Sequence, residues 1–270
     1  MELFSAYPPE AWAALLATGV LIGLLAGLLG IGGGVVAVPV LLEIFTLVGV
    51  SEPAAVLLAV GTAQASILVA SITAVAAHWQ AGTVDLPLVR TWLPGLMAGA
   101  LLGLALAPFA PSRALTLLFA AAAAALAVKM VAGDRLAVAR HQPSGPLSHL
   151  APLAVGGLAS AVGVGAGTLS TPILTLFSFP IRKAVGAGAL FNLVISLPAT
   201  IVFMLIDHDT TGRTVDALGD VALFCVVALS LPALFVAPVA ARWSARVPVI
   251  VLQRLFGLSL AIIAARLIFR

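Results

Sequence analysis

Two glycine clusters and a few amide and hydroxyl side chains are the residues of this sequence best suited to chemistry. The first cluster is Gly27-Leu-Leu-Gly30-Ile-Gly32-Gly33-Gly34, with Pro39 five residues after Gly34. The second is Ser160-Ala-Val-Gly163-Val-Gly165-Ala166-Gly167-Thr168, with Pro172 five residues after Gly167. Glycine costs a helix about 1 kcal/mol relative to alanine, so each cluster is expected to interrupt one. A helix that restarts after a break points unsatisfied N–H groups and the positive end of its macrodipole at the break. Such termini bind anions, and glycine lets an anion come close to the backbone. The candidate binding backbone is therefore Gly32, Gly33 and Gly34 in the first copy, and Gly165, Ala166, Gly167 and Thr168 in the second.

Polar side chains lie in the apolar segment that follows each break. Thr62, Gln64 and Ser66 follow the first; Asn192 and Ser196 follow the second. An amide in lipid is costly unless satisfied, so Gln64 and Asn192 are expected to face the protein interior. There they would donate N–H groups to an anion or bond another helix. Thr168, Ser170 and Thr171 are expected to cap the second short helix or touch substrate. Glycines can equally serve packing. Gly19, Gly23 and Gly27, and also Gly95, Gly99 and Gly103, follow the small-xxx-small spacing, and packing is the better account of them.

Other chemistries find little support. The dinucleotide fingerprint fails at Val35 and at Thr168, and no P-loop lysine follows either cluster. His78, His141, His149 and His208 have no metal-ligand spacing, so neither a metal nor a cofactor is expected. Neither a Ser/His/Asp set nor paired intramembrane carboxylates point to an enzyme. Glu43, the lone acid inside an apolar stretch, reads as an interface-facing carboxylate or a proton carrier.

Composition sets the class that must position these residues. With 62% hydrophobic and 9% charged residues, and a mean hydropathy of +1.22, the chain is not a soluble globular domain. Apolar runs long enough to cross a bilayer recur without strand-like alternation, which predicts an all-α polytopic membrane protein in the cell (inner or plasma) membrane. The net charge of +3 comes from scattered loop arginines, a topology signal rather than a nucleic-acid footprint. Cys225, the single cysteine, reads as a packing residue. Met1 to Glu10 lacks a basic n-region, so the first apolar segment is expected to stay in the mature chain.

Membrane segments are expected at about 11–29, 35–48, 54–77, 87–107 and 114–131, then at 149–164, 168–179, 184–206, 217–240 and 248–269. The polar stretch between them predicts three parts: a first repeat over 1–132, a cytoplasmic linker over 133–148 and a second repeat over 149–270. Ordered echoes support the repeat: Ala59-Val60-Gly61 with Ala184-Val185-Gly186, and Val84-Asp85 with Val215-Asp216. If each break turns the chain back, the halves are inverted, with about eight spanning helices, short re-entrant or half helices, and up to ten membrane segments. Arg90, Lys129, Arg135, Arg140, Arg182, Lys183, Arg242 and Arg246 then all fall inside, as the positive-inside rule prefers. Arg113, Arg266 and Arg270 run against that arrangement. The pieces after the breaks, at about 18–22 Å, are too short for a hydrocarbon core of about 30 Å. Paired, interrupted segments at matching positions of two halves point to a transporter binding site.

In its ordered pair of glycine motifs the chain resembles the sulfite exporter TauE/SafE family. The resemblance rests on Gly30-Ile-Gly32-Gly33-Gly34 leading to Val38-Pro39, and on Gly163-Val-Gly165-Ala-Gly167 leading to Thr171-Pro172. Arg182-Lys183-Ala184-Val185-Gly186 opens the next segment. It covers essentially the whole chain; Ala166 departs from the glycine triple of the first copy. It implies transport of small sulfur-containing anions such as sulfite, sulfoacetate or other organosulfonates. The expected partners are thus a small anionic substrate and the lipid bilayer, with no nucleic acid; a homo-oligomer stays open. The expected function is a secondary carrier, an exporter, working by alternating access around a midplane anion site at the two glycine-rich breaks. An anion channel and a non-transporting scaffold or receptor are the alternatives.

Overall fold

The computed structural model describes residues 7–106, 112–132, 147–205, 214 and 216–268. Most of the expected linker lies outside that set, with Arg135, Arg140 and His141, as do His208 and Arg270. The described chain forms α1 (Pro9–Leu29), α2 (Gly34–Leu47), α3 (Glu52–Gln80), α4 (Leu86–Leu106) and α5 (Ser112–Ala132). It continues as α6 (Leu147–Val162), α7 (Gly167–Leu176), α8 (Ile181–Leu205), the strands β1 (Ala217–Leu218) and β2 (Val221–Ala222), α9 (Leu223–Ser244) and α10 (Val249–Ile268). Among the described residues, six helices are long and apolar enough to cross a membrane: α1, α3, α4, α8, α9 and α10. The protein is a polytopic all-α membrane protein.

Both clusters break the helix where expected. Gly30 ends α1 at φ 65°, with its N–H returned to Ala26 O, and Gly32 and Gly33 follow at φ 83° and 75°. L-residues with side chains disfavour this left-handed region, which is why glycine occupies it. The second break turns at Gly163, φ 78°. The restarted helices α2 and α7 are short, at 14 and 10 residues.

One segment begins later than its hydropathy predicts. Residues 217–222, expected to open the ninth segment, form a tight antiparallel hairpin with Gly219 at φ 58°. Asp216 Oδ2 accepts the Phe224 N–H at 2.8 Å, which holds the first turn of α9 after the hairpin.

The spaced glycines act as packing surfaces. Gly19, Gly23 and Gly27 lay α1 along α9, against Leu229, Ala233 and Ala237. Gly95, Gly99 and Gly103 lay α4 along α6, against His149, Leu153 and Gly157. Lipid supplies no hydrophobic drive between helices, so close backbone approach is what holds such pairs together. The long helices α3 and α8 pack on each other at the centre, and α5 packs on α10. Exchanging α1–α5 with α6–α10 converts each of these contacts into another of the set. The contact α1·α9 becomes α6·α4, and α3·α8 and α5·α10 map onto themselves.

A Cβ on Gly99 would strike the Leu153 carbonyl, whereas one on Gly157 would stop 3.3 Å from the nearest atom, Gly99 O. Gly99→Val is therefore expected to cost about 2–4 kcal/mol by forcing α4 off α6, and Gly157→Ala under about 1 kcal/mol. Thermal unfolding of the purified variants in detergent checks the contrast.

Candidate anion site at the crossing of two helix breaks

The two breaks run past each other in opposite directions. Gly30 faces Gly167, Ile31 faces Gly165 and Thr168, and Gly34 faces Gly163 and Val164. No methyl group fits between them: a Cβ on Gly167 would collide with Gly30 O, and one on Gly165 with Ile31 O. One on Gly34 would lie 2.5 Å from Gly163 O. Glycine at the crossing therefore serves close backbone approach as well as left-handed φ.

Asn192 of α8 joins the breaks. Its Nδ2 donates to Gly30 O at 2.8 Å, and its Oδ1 accepts the Gly167 N–H at 2.8 Å. One fully buried amide thus satisfies an acceptor left over at the end of α1 and a donor left over at the start of α7. Thr168 Oγ1 adds a third tie, donating to Ile31 O at 3.1 Å. The expectation that Thr168 or Thr171 caps α7 is corrected here. Thr171 donates across to Ala184 O, and the first N–H of α7 is capped from another helix.

The central part of α3 lines the crossing. Val60 packs on Gly163, and Ile67 packs on Gly32 and Gly34. Gln64 lies between them on the same helical face, spaced i, i+4 and i+7. Its Oε1 accepts from Ser196 Oγ at 2.9 Å, while its Nε2, fully buried, has no partner. Ser170 Oγ, in the first turn of α7, is also buried without a partner. Of the other candidates, Thr62 Oγ1 accepts the Ala222 N–H of the hairpin, and Ser66 donates to Thr62 O. These two are committed to structure. Ser196, named beside Asn192 from the sequence, holds the Gln64 carbonyl oxygen, and Ser170, expected to cap α7 or touch substrate, caps nothing.

Contacts around the crossing come in like pairs: Val60 meets Gly163 while Val185 meets Gly30, and Gly61 meets Asp220 while Gly186 meets Thr83. The family model described as "Sulfite exporter TauE/SafE" matches residues 15–267. The chain belongs to this family. A "Probable membrane transporter protein" of Haemophilus influenzae is 28% identical over 258 residues, covering 94% of this chain and 97% of the relative. A probable membrane transporter protein of Methanocaldococcus jannaschii is 25% identical over 225 residues, 82% of each chain. No solved structure matches the chain. Family and relatives together make the protein a multi-pass membrane transporter with a small substrate.

Two aspartates at corresponding positions tie the structure together around this site. Asp85 caps α4 by accepting the Leu88 N–H at 3.1 Å, and it pairs with Lys183 of α8 at 3.0 Å. Asp216 takes the phenol of Tyr7 at 3.0 Å; burial pushes that phenol's pKa up, so it stays a neutral donor. Glu43, expected at an interface, is exposed and lies 3.4 Å from Arg266. A cavity of about 60 Å³ opens beside α2, rimmed by Val35, Val36, Pro39, Ile262, Ile263 and Arg266. Its lining is mostly apolar, so the site chemistry is assigned to the crossing rather than to this cavity.

Two outcomes follow from these bonds. Asn192→Leu strands Gly30 O and the Gly167 N–H, at about 1–3 kcal/mol each, read as a lower melting temperature of the purified variant. The hydrogen bond from Lys183 holds the Asp85 carboxyl below its usual range. Its contribution is therefore complete above the unfolded carboxylate value of about 4 and fades as pH falls through the lower folded value. With Lys183 half exposed, Lys183→Met should cost under about 1 kcal/mol at neutral pH and nothing in strong acid, read from melting temperature against pH.

Proposed function

We propose that this protein is a secondary carrier, an exporter of small sulfur-containing anions such as sulfite, sulfoacetate or other organosulfonates. In this reading it works in the cell membrane by alternating access around the crossing of its two breaks. The observation that carries the reading is Gln64 Nε2, a fully buried donor with no acceptor on the face of α3 that lines both breaks. A buried polar group of this kind costs about 1–3 kcal/mol unless a partner arrives, and an oxyanion oxygen is such a partner. Ser170 Oγ in the first turn of α7 and the uncapped start of α2 supply further donors on the helices that restart after the breaks. No Lys or Arg is needed: neutral donors and helix termini can select an anion and still release it.

The swapped contacts around the crossing support two inverted repeats, bounded at residues 1–132 and 149–270 with the linker 133–148 between them. Because the breaks are shut against each other, entry of an anion requires the halves to separate on one side of the crossing. The substrate class comes from the family's description, and the chemistry of the donor set is compatible with it. Carriage of an anion unchanged also accounts for the residues at the crossing without a catalytic role for any of them.

Gln64→Leu removes the free donor without inserting a charge. It is expected to weaken the preferred anion at least tenfold in thermal-shift titration across sulfite, sulfoacetate, taurine, sulfate and acetate. Counterflow in proteoliposomes should fall with it. Stabilisation of the folded wild type by none of these anions, or undiminished transport by Gln64→Leu, would sink the proposal. High flux without counterflow would make the protein a channel.

A further inference from the structure

Hydroxyls within the helices fall into two kinds. Inside a helix a serine or threonine commonly returns its hydroxyl to the carbonyl four residues back. Ser66, Thr91 and Ser259 do so here. Ser71 of α3 and Thr200 of α8 are buried and bond nothing. Neither takes part in the ties that close the crossing.

Ser71 belongs to the face of α3 that follows both breaks. Val60, Gln64, Ile67, Ser71 and His78 share that face, at i, i+4, i+7, i+11 and i+18. Val60 packs on Gly163, and Ile67 packs on Gly32 and Gly34. His78 Nε2 lies 3.0 Å from Gly27 O, a carbonyl freed because the Ile31 N–H turns to Leu25 O. Ser71 lies between Ile67 and His78, on the stretch that faces the end of α1. Against α8 the helix runs antiparallel: Gly61 meets Phe203, Gln64 meets Ser196, and Ile67 and Asn192 both reach Gly32. The same register sets Ser71 level with Ala189, whose methyl group can accept nothing. On the repeat reading Ser71 corresponds to Ser196 and Ala189 to Gln64, so the pair recurs with its amide missing.

Thr200 stands towards the other end of this seam. It is one turn beyond Ser196 and one turn short of Phe203, which sets it level with Val60. The free groups of Ser71, Gln64 and Thr200 therefore follow one another along α3 and α8, over about 17 Å at the helical rise. Gln64 and Thr200 lie on one side of the Asn192 tie, and Ser71 lies on the other.

We propose that this row is the anion's path, with Ser71 and Thr200 as binding groups on opposite sides of the crossing. The path rests on the carrier reading above and extends it to residues beyond Gln64. A buried hydroxyl without a partner is costly in the empty protein and becomes a donor when an oxyanion oxygen arrives. Each donor is neutral, so the anion passes from one to the next without meeting a fixed charge. The two ends differ in charge. Arg182 and Lys183 open α8 at the Ser71 end, and Arg242 follows Ala241, which packs on Gly27. Asp216 and Asp220, at the hairpin, mark the Thr200 end, where the Asp220 N–H bonds Phe203 O. The basic end raises the local concentration of an anion, which makes the Ser71 side the loading side. Ser230 of α9, likewise buried without a partner, lies outside the seam and supplies the contrast.

The test uses the full chain in membrane vesicles of known orientation, with Cys225→Ser removing the native thiol. Ser71→Cys and Thr200→Cys are treated with sulfonatoethyl methanethiosulfonate, a thiol reagent that is itself an organosulfonate and does not cross the bilayer. The two introduced thiols are expected to react from opposite faces, each at least threefold more slowly with sulfoacetate present. Reaction of both from one face, or of neither, overturns the path. Ser71→Ala and Thr200→Val give a second readout. Each deletes a hydroxyl that bonds nothing, so melting temperature is expected to hold or rise. Sulfoacetate counterflow in proteoliposomes is expected to fall at least fivefold in both and to be unchanged in Ser230→Ala. A lower melting temperature with full counterflow would make the hydroxyls structural and overturn the path. An equal loss in Ser230→Ala would overturn it too. Counterflow lost in Gln64→Leu but intact in Ser71→Ala and Thr200→Val removes the path and keeps the carrier. A folded wild type that carries none of the anions removes the carrier reading, and the path falls with it.

Discussion

A helix interrupted inside a membrane protein leaves carbonyls and amides with no water to satisfy them, and the fold is arranged around that constraint. Each break frees acceptors at the end of one helix and donors at the start of the next. Here the two breaks satisfy one another. Asn192 bridges Gly30 O and the Gly167 N–H, and Thr168 reaches Ile31 O, so neither interruption is completed by its own neighbours in sequence. Breaking one half alone would leave the other half's polar backbone exposed. The glycine spacing, the meeting of the halves and the central placement of α3 and α8 are consequences of this mutual dependence.

On the repeat reading the two halves are unequal in chemistry. Gly61 corresponds to Gly186, which places Ile67 opposite Asn192 and Gln64 opposite Ala189. One helix therefore presents an apolar residue where its counterpart presents the amide that closes the crossing. It presents a second amide where its counterpart presents a methyl group. A symmetric pair of asparagines would satisfy the backbone twice over and leave little for a ligand to do. The inequality keeps one amide occupied with structure and leaves Gln64 Nε2 without a protein partner. The same contrast separates the two aspartates, one held by a half-exposed lysine and the other by a buried phenol.

What was legible in the sequence was what depends on local chemistry. Glycine content fixed where α1 and α6 stop, hydropathy found the long helices to within a few residues, and the small-xxx-small rows marked the α1–α9 and α4–α6 seams. The hairpin at 217–222 was missed because Ala217, Leu218, Val221 and Ala222 run straight into the apolar helix that follows, although Gly219-Asp220 between them marks the turn and Asp216 holds the later start of α9. The division of labour among polar residues was not legible either. Gln64, Asn192, Thr62 and Thr168 all read as buried polar groups. Their partners lie 132, 162, 160 and 137 residues away, so no local pattern separates a structural tie from a free donor. His78 was passed over for the same reason, since the carbonyl it caps is 51 residues distant.

On the carrier reading proposed above, the ligand must be held weakly enough to leave, and the residues at the crossing bear on that requirement. A lysine or arginine buried there would bind an anion strongly but would need a counter-charge whenever the site was empty, at a desolvation cost of several kcal/mol. Hydroxyls, an amide and helix termini carry no net charge, so the empty crossing can close on itself, as glycine-to-glycine contact shows. The same holds just before the first break, where the buried His78 ring meets the freed Gly27 carbonyl at 3.0 Å and brings no permanent charge. Opening the crossing would break the Asn192 and Thr168 ties, so on that reading the ligand's own bonds to the freed groups must offset their loss.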